Sequence, residues 1–128
     1  AAHNGVVWLN DSKATNVAAT RSALESLIQP VVLLLGGVDK GEGFRSLIPS
    51  VAHLRAVLAY GAAAPRIVNE VEDAVLVDGD LALVVQHAKK LAEEGDAILL
   101  SPACSSFDMF DNYEERGRVF AALASESL

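Results

Sequence analysis

Asp11, Lys13 and Thr15, interleaved with Asn10, Ser12 and Asn16, put a carboxylate, an ammonium, two hydroxyls and two amides within seven consecutive positions. That density exceeds what one turn and one helix cap require. As a cap, Ser12, Thr15 or Asn16 would accept from the exposed amides of a first helical turn, and Asp11 would complement the helix dipole. Lys13 argues for more, because a cation beside a helix N-terminus opposes the dipole unless an anion sits there. Together with free amides and the Thr15 hydroxyl, it suits a carboxylate or a phosphate.

Two further segments carry polar groups of the same kind. The run Gly-Gly-Val-Asp-Lys-Gly-Glu-Gly at 36–43 places Lys40 at the tip of a glycine-flanked loop, where it would meet the same anion as Lys13. Its glycine spacing is not that of a dinucleotide fingerprint, and no Gly-Lys-Ser/Thr of a Walker A loop occurs in the chain. The run Ser-Pro-Ala-Cys-Ser-Ser-Phe-Asp at 101–108 offers Ser105, Ser106 and Asp108 as caps for a following helix. Cys104 has no base in its neighbourhood of the sequence and reads as a buried, inert thiol. His3, His53 and His87 lack metal-ligand spacing, so no metal is expected on this chain alone. His87 reads as a surface residue, and Glu114, Glu115, Arg116 and Arg118 as a solvated helix face.

What must position these loops is an alternation of strands and helices. Apolar runs at 6–9, 31–35, 56–60, 74–77 and 97–100 read as strands, the fourth being the weakest. Helical patterns cover 17–27, 44–54 (interrupted at Pro49), 66–72, 81–94 and 113–123. The clearest, 81–94, would be capped by Asp78 or Asp80 and ended by Gly95. This order predicts an α/β domain of Rossmann-like, three-layer type: a mostly parallel sheet with helices on both faces. The three polar loops, 10–16, 36–43 and 101–108, each follow the carboxyl end of a strand. In open α/β sheets that edge is where ligands bind.

Composition sets outer limits. The 128 residues fit a single domain, and a 52% hydrophobic content with few aromatics suits aliphatic layers. A net charge of −7 argues against a nucleic-acid surface or a basic membrane-surface helix. One cysteine cannot form an internal disulfide, and neither a long apolar stretch nor a signal sequence is found; a cytoplasmic location is expected. A strand only a few residues in suggests a chain cut from something longer.

The three loops also carry a resemblance. Asn-Asp-Ser-Lys-Ala-Thr-Asn at 10–16 resembles the signature of the D-glutamate-adding Mur ligases of peptidoglycan synthesis. Leu-Gly-Gly-Val-Asp-Lys-Gly-Glu-Gly-Phe at 35–44 is similar to that family's Gly-Gly-x-Asp-Lys-Gly loop, and residues 100–117 resemble its C-terminal motif almost throughout. The three stand in the same order and together span the chain from Val6 to about Leu123. Position 111 departs from the pattern, being Asp where the family commonly has a basic residue.

The resemblance implies that residues 1–128 are the C-terminal domain of a three-domain enzyme whose other domains bind UDP and hydrolyse ATP. Such enzymes phosphorylate the terminal carboxylate of UDP-N-acetylmuramoyl-L-alanine with ATP and Mg2+; the amine of D-glutamate then displaces phosphate from the acyl phosphate. By the same resemblance, Thr15 and Lys40 would contact one carboxylate of D-glutamate. Ser106, Phe107 and Tyr113 would line its other end, while Asn10, Asp11 and Lys13 would face the nucleotide. The metal apparatus belongs to the central domain, so no metal is implied here. A monomer without ligase activity of its own is expected; the alternative is a stand-alone anion-binding or regulatory module. A related ligase adding another amino acid fits the motifs at 10–16 and 101–117 less well.

Overall fold

A computed structural model describes residues 2–3 and 5–126, with side chains for 5–126. Its core is one six-stranded sheet built from β1 (Ala2–His3), β2 (Val6–Asn10), β3 (Val31–Gly36), β4 (Ala56–Tyr60), β5 (Val75–Leu76) and β6 (Ala97–Leu100). The strand order is β1-β2-β6-β3-β4-β5, with β1 antiparallel to β2 and every other pairing parallel. The helices are α1 (Val17–Glu25), α2 (Ile48–Val51), α3 (Ala64–Glu70), α4 (Leu81–Leu91) and α5 (Tyr113–Ser125). The expected α/β class and mostly parallel sheet are present; the short β1 is an addition.

The central strands β3 and β6 are buried at every position, which is why their sequences run apolar without alternation. Successive side chains nevertheless face opposite ways. Val31, Leu33 and Leu35 pack with Val17, Leu24, Leu47 and Ile67, the side covered by α1, α2 and α3. Val32 and Leu34 pack with Val84, Val85, Ala88, Phe120 and Ala124 of α4 and α5. On that second face the Trp8 and Phe120 rings lie 5.9 Å apart, tilted by 54°.

Several boundaries differ from expectation, each for a local reason. The first helix stops at Glu25, where the Ser26 amide donates to Ala23 and Leu24 carbonyls. The helix expected at 44–54 is a 3-10 turn, Arg45–Leu47, followed by α2, and Pro49 begins α2 rather than interrupting it. Pro65 likewise lies in the first turn of α3, which therefore starts earlier and ends at Glu70. Helix α4 is capped by Asp80, whose carboxylate accepts from Leu83 N, but it ends at Leu91 because Ala92 turns extended; Gly95 stops nothing and serves the next turn. The cap of α5 is Asn112, accepting from Glu115 N, not Ser105, Ser106 or Asp108.

At the amino ends of the strands, Arg55 clamps the buried Asp96 carboxylate with two hydrogen bonds of 2.9 and 3.0 Å. The Arg55 hydrogen bond holds the Asp96 carboxyl below the usual carboxylate range, against the opposing effect of burial. Because the native value lies below the unfolded one, this group's contribution is complete above the unfolded pKa of about 3.9 and is lost as pH falls through the native value. Asp96→Asn is therefore expected to be less stable than the parent at neutral pH, with the gap narrowing below about pH 4. Urea unfolding across that range checks this; a gap independent of pH would rule it out.

Candidate functional site

Helices α1, α2 and α3 follow β2, β3 and β4 on one face of the sheet, whereas α5 follows β6 on the other. Strand β6 lies between β2 and β3, so chain leaving β6 diverges from the chain leaving both neighbours. That reversal opens a crevice at the carboxyl edge. The loops after β2, β6 and β3 are the three polar runs singled out from sequence.

Backbone bonds join these loops. Ala103 N donates to Ala14 O at 2.9 Å, tying the third loop to the first. Val38 and Ser105 exchange N–H···O bonds of 2.9 and 3.0 Å, tying the second to the third. Ala103 holds φ at 62°, a left-handed conformation that costs a non-glycine residue energy and persists where surroundings enforce it.

A buried arginine completes the assembly. The Arg116 guanidinium donates through Nε to Ser12 Oγ at 2.9 Å, through Nη2 to Ser12 O at 2.6 Å, and through Nη1 to Cys104 O at 3.0 Å. Ser12 Oγ in turn donates to Tyr113 O at 2.7 Å, and Asn10 Nδ2 to Gly117 O at 2.9 Å. Gly117 lets the helix come this close, since a Cβ there would lie 3.2 Å from that of Ser12. The reading of Arg116 as part of a solvated face is thus wrong: it is 1% exposed, and burial pushes its pKa down. A signal existed, because Arg116, Phe120 and Ala124 recur at helical spacing and all three are buried. Glu114 and Arg118 are exposed as expected, and so is His87; the side chain of His3 lies outside the described residues.

Among the candidate binding residues, Thr15 and Lys40 are brought together from different loops, with Lys40 Nζ 3.5 Å from Thr15 Oγ1. They sit at the start of α1, where the Asn16 carboxamide accepts from Ala19 N at 2.8 Å. The Val17 amide is taken by a residue sequence reasoning passed over: Glu42 Oε1 accepts from it at 2.8 Å. Ser106 is 1% exposed, and its hydroxyl has no hydrogen-bond partner among the described residues. Phe107 beside it is 72% exposed, a large apolar surface left uncovered at the loop tip. Cys104 is buried, and desolvation pushes its thiol up to about 12, out of nucleophile range.

Tyr113 is placed elsewhere. It lines a cleft of about 360 Å³ with Asn10, Ser12, Lys13 and Arg118, and neither Thr15, Lys40 nor Ser106 contributes to that cleft. Asp11 and Lys13 line a second open depression along α1, with Ala19 and Ser22. Asp11 Oδ2 accepts from the Ser101 hydroxyl at 2.8 Å. Asn10 and Lys13 can meet phosphate oxygens, and Thr15 with Lys40 a carboxylate. Among the described residues, no three His, Cys, Asp or Glu side chains converge as a metal site would need.

Residues 1–104 match the family model described as Mur ligase, glutamate ligase domain. Relatives named UDP-N-acetylmuramoylalanine–D-glutamate ligase include one from Rubrobacter xylanophilus, 47% identical over 97% of the chain and 29% of the relative. Those from Desulfotalea psychrophila and Bacillus subtilis are 50% and 47% identical, each over 91% of the chain and 26% and 27% of their own lengths. The chain thus spans less than a third of each of these relatives. A solved domain of a proposed UDP-N-acetylmuramate:L-alanyl-gamma-D-glutamyl-medo-diaminopimelate ligase from Haemophilus ducreyi shares the fold, with a TM-score of 0.59 at 14% identity, covering 100% of this chain and 93% of that one.

Proposed function

The chain belongs to the Mur ligase family as a glutamate ligase domain, and from that premise we propose that it is the D-glutamate-binding, C-terminal part of a cytoplasmic ligase joining D-glutamate to UDP-N-acetylmuramoyl-L-alanine. The observation that carries this reading is the meeting of Lys40 and Thr15 beside the amino end of α1. A cation, a hydroxyl and, once Glu42 is displaced, the Val17 amide make up a donor set that one carboxylate of an amino acid takes. The unpartnered Ser106 hydroxyl serves the other end of a dicarboxylate, and exposed Phe107 covers it.

Asn10, Asp11 and Lys13 face the nucleotide. The cleft lined by Asn10 and Lys13 offers donors to phosphate oxygens, Asp11 lines the depression along α1 with Lys13, and Lys13 stabilises negative charge as it develops during transfer. In the complete ligase, ATP with Mg2+ supplies the phosphoryl group that activates the acceptor carboxylate. This chain's donors suit the phosphates but not the Mg2+, which the central domain would hold. The chain contributes the orientation of D-glutamate, so that its amine meets the activated carbonyl carbon. By itself it carries out no ligation, and it is a monomer.

Titrating D-glutamate into the chain while following backbone amides is the test. Weak binding is expected, because domain closure adds the remaining contacts, with the shifts confined to Thr15, Lys40, Ser106 and their neighbours. Shifts centred elsewhere would discard the site, and ligation by the chain alone would discard the division of labour. Since the Glu42 carboxylate already occupies the Val17 amide, Glu42→Ala is expected to tighten D-glutamate binding several-fold. Weaker binding in that variant would mean that Glu42 supports the pocket instead of competing for it.

A further inference from the structure

Behind Asp11 lies a short chain of buried hydroxyls that takes no part in the carboxylate pocket. Ser101 and Thr20 are both fully buried, at 0% exposure. The Ser101 hydroxyl donates to Asp11 Oδ2 at 2.8 Å and lies 3.2 Å from Thr20 Oγ1, while Thr20 Oγ1 donates to the Ser101 carbonyl at 2.9 Å. Asp11 N donates to Leu100 O at 2.7 Å, so backbone and side chain of Asp11 are both held by the end of β6. The second carboxylate oxygen, Oδ1, has no partner among the described residues, and Asp11 is only half-buried.

We infer that Ser101 and Thr20 are positioning residues: they lock the Asp11 side chain so that its free oxygen is presented to a hydrogen-bond donor of the bound nucleotide. The inference rests on the reading of Asp11 as nucleotide-facing. A half-exposed aspartate on a loop samples several rotamers, and each must be given up when a ligand binds. A buried hydroxyl donating to one carboxylate oxygen removes that choice beforehand. Because Ser101 has a single proton, it can serve Asp11 steadily only if its own position is fixed. Thr20 does this by holding the Ser101 carbonyl from the facing helix. A hydrogen bond to a charged acceptor is worth enough to change a ligand's affinity by about tenfold or more.

The test has a spectroscopic and a kinetic arm. In this chain, three-bond couplings report the Asp11 χ1 angle. A single rotamer is expected in the parent, averaging in Ser101→Ala and Thr20→Val, and recovery in Thr20→Ser, which keeps the hydroxyl. Thr20→Val retains the shape of the side chain, so it covers the case in which Ser101→Ala unfolds. In the complete ligase carrying this domain, Ser101→Ala is expected to raise KM for ATP about tenfold while leaving KM for D-glutamate within about twofold. An Asp11 rotamer unchanged in both variants, or equal rises in the two KM values, would overturn the positioning role. If Asp11→Asn leaves KM for ATP unaltered, the nucleotide-facing reading fails and the inference with it. A response to Asp11→Asn without one to Ser101→Ala removes the inference alone.

Discussion

Replacing Gly37 by alanine is expected to cost about 4 kcal/mol, much of the stability of a domain this size, and to lower the melting temperature by roughly 15 °C. Two independent effects combine. Gly37 has φ of 126°, outside what an L side chain tolerates, and a Cβ there would lie 2.1 Å from the Ser105 carbonyl oxygen. That oxygen accepts from Val38 N, so relieving the clash means breaking the bridge that joins the Lys40 loop to the Ser106 loop. Gly41 is the control. It also has positive φ, at 94°, but a Cβ would meet nothing within 4 Å, so Gly41→Ala is expected to cost only about 1 kcal/mol. Thermal unfolding of the two variants checks the difference, and equal losses would show that the contact with Ser105 is irrelevant.

Arg116 supplies the second large effect. Arg116→Ala leaves a cavity and strips donors from Ser12 and Cys104, an expected loss of about 3 kcal/mol. Arg116→Met is expected to cost about 1 kcal/mol or less, because volume is retained and the penalty for burying an unpaired guanidinium disappears with its hydrogen bonds. The two variants should nevertheless agree in one respect. Amide exchange in the stretches around Ser12 and Cys104 should accelerate in both, since neither side chain can tie those loops together. Protection at the parent level in Arg116→Met would mean that packing, not the guanidinium, couples the loops.

Much of the fold was legible in the chain because it depends on local pattern. The unbroken apolar runs of β3 and β6 announce strands buried on both faces, and their order among helices announces a parallel sheet. Helix ends were read less well. Gly95 looks like a stop, yet Ala92 leaves the helix first, and Asn112 caps α5 in place of Ser105, Ser106 or Asp108 because the chain from Ser106 to Asp111 makes turns of its own before α5 begins. Such choices depend on where the next segment must go, which local propensity does not encode.

The site divides along the same line. Sequence by itself determined which groups are present at the carboxyl edge: Asp11, Lys13 and Thr15 on one loop, Lys40 on a second, Ser106 on a third. Residue type dictates what each can donate or accept, and strand order in the chain dictates that all three loops leave the same edge. Only the tertiary structure decided which groups meet. Lys40 reaches Thr15 across 25 positions, Ser101 serves Asp11 across 90, and Arg116 holds Ser12 across 104. The physical reason is the placement of β6 between β2 and β3, which brings together loops far apart in the chain. That placement turns a cluster of helix-capping residues into one wall of a pocket and converts a helix-surface arginine into its buried tie.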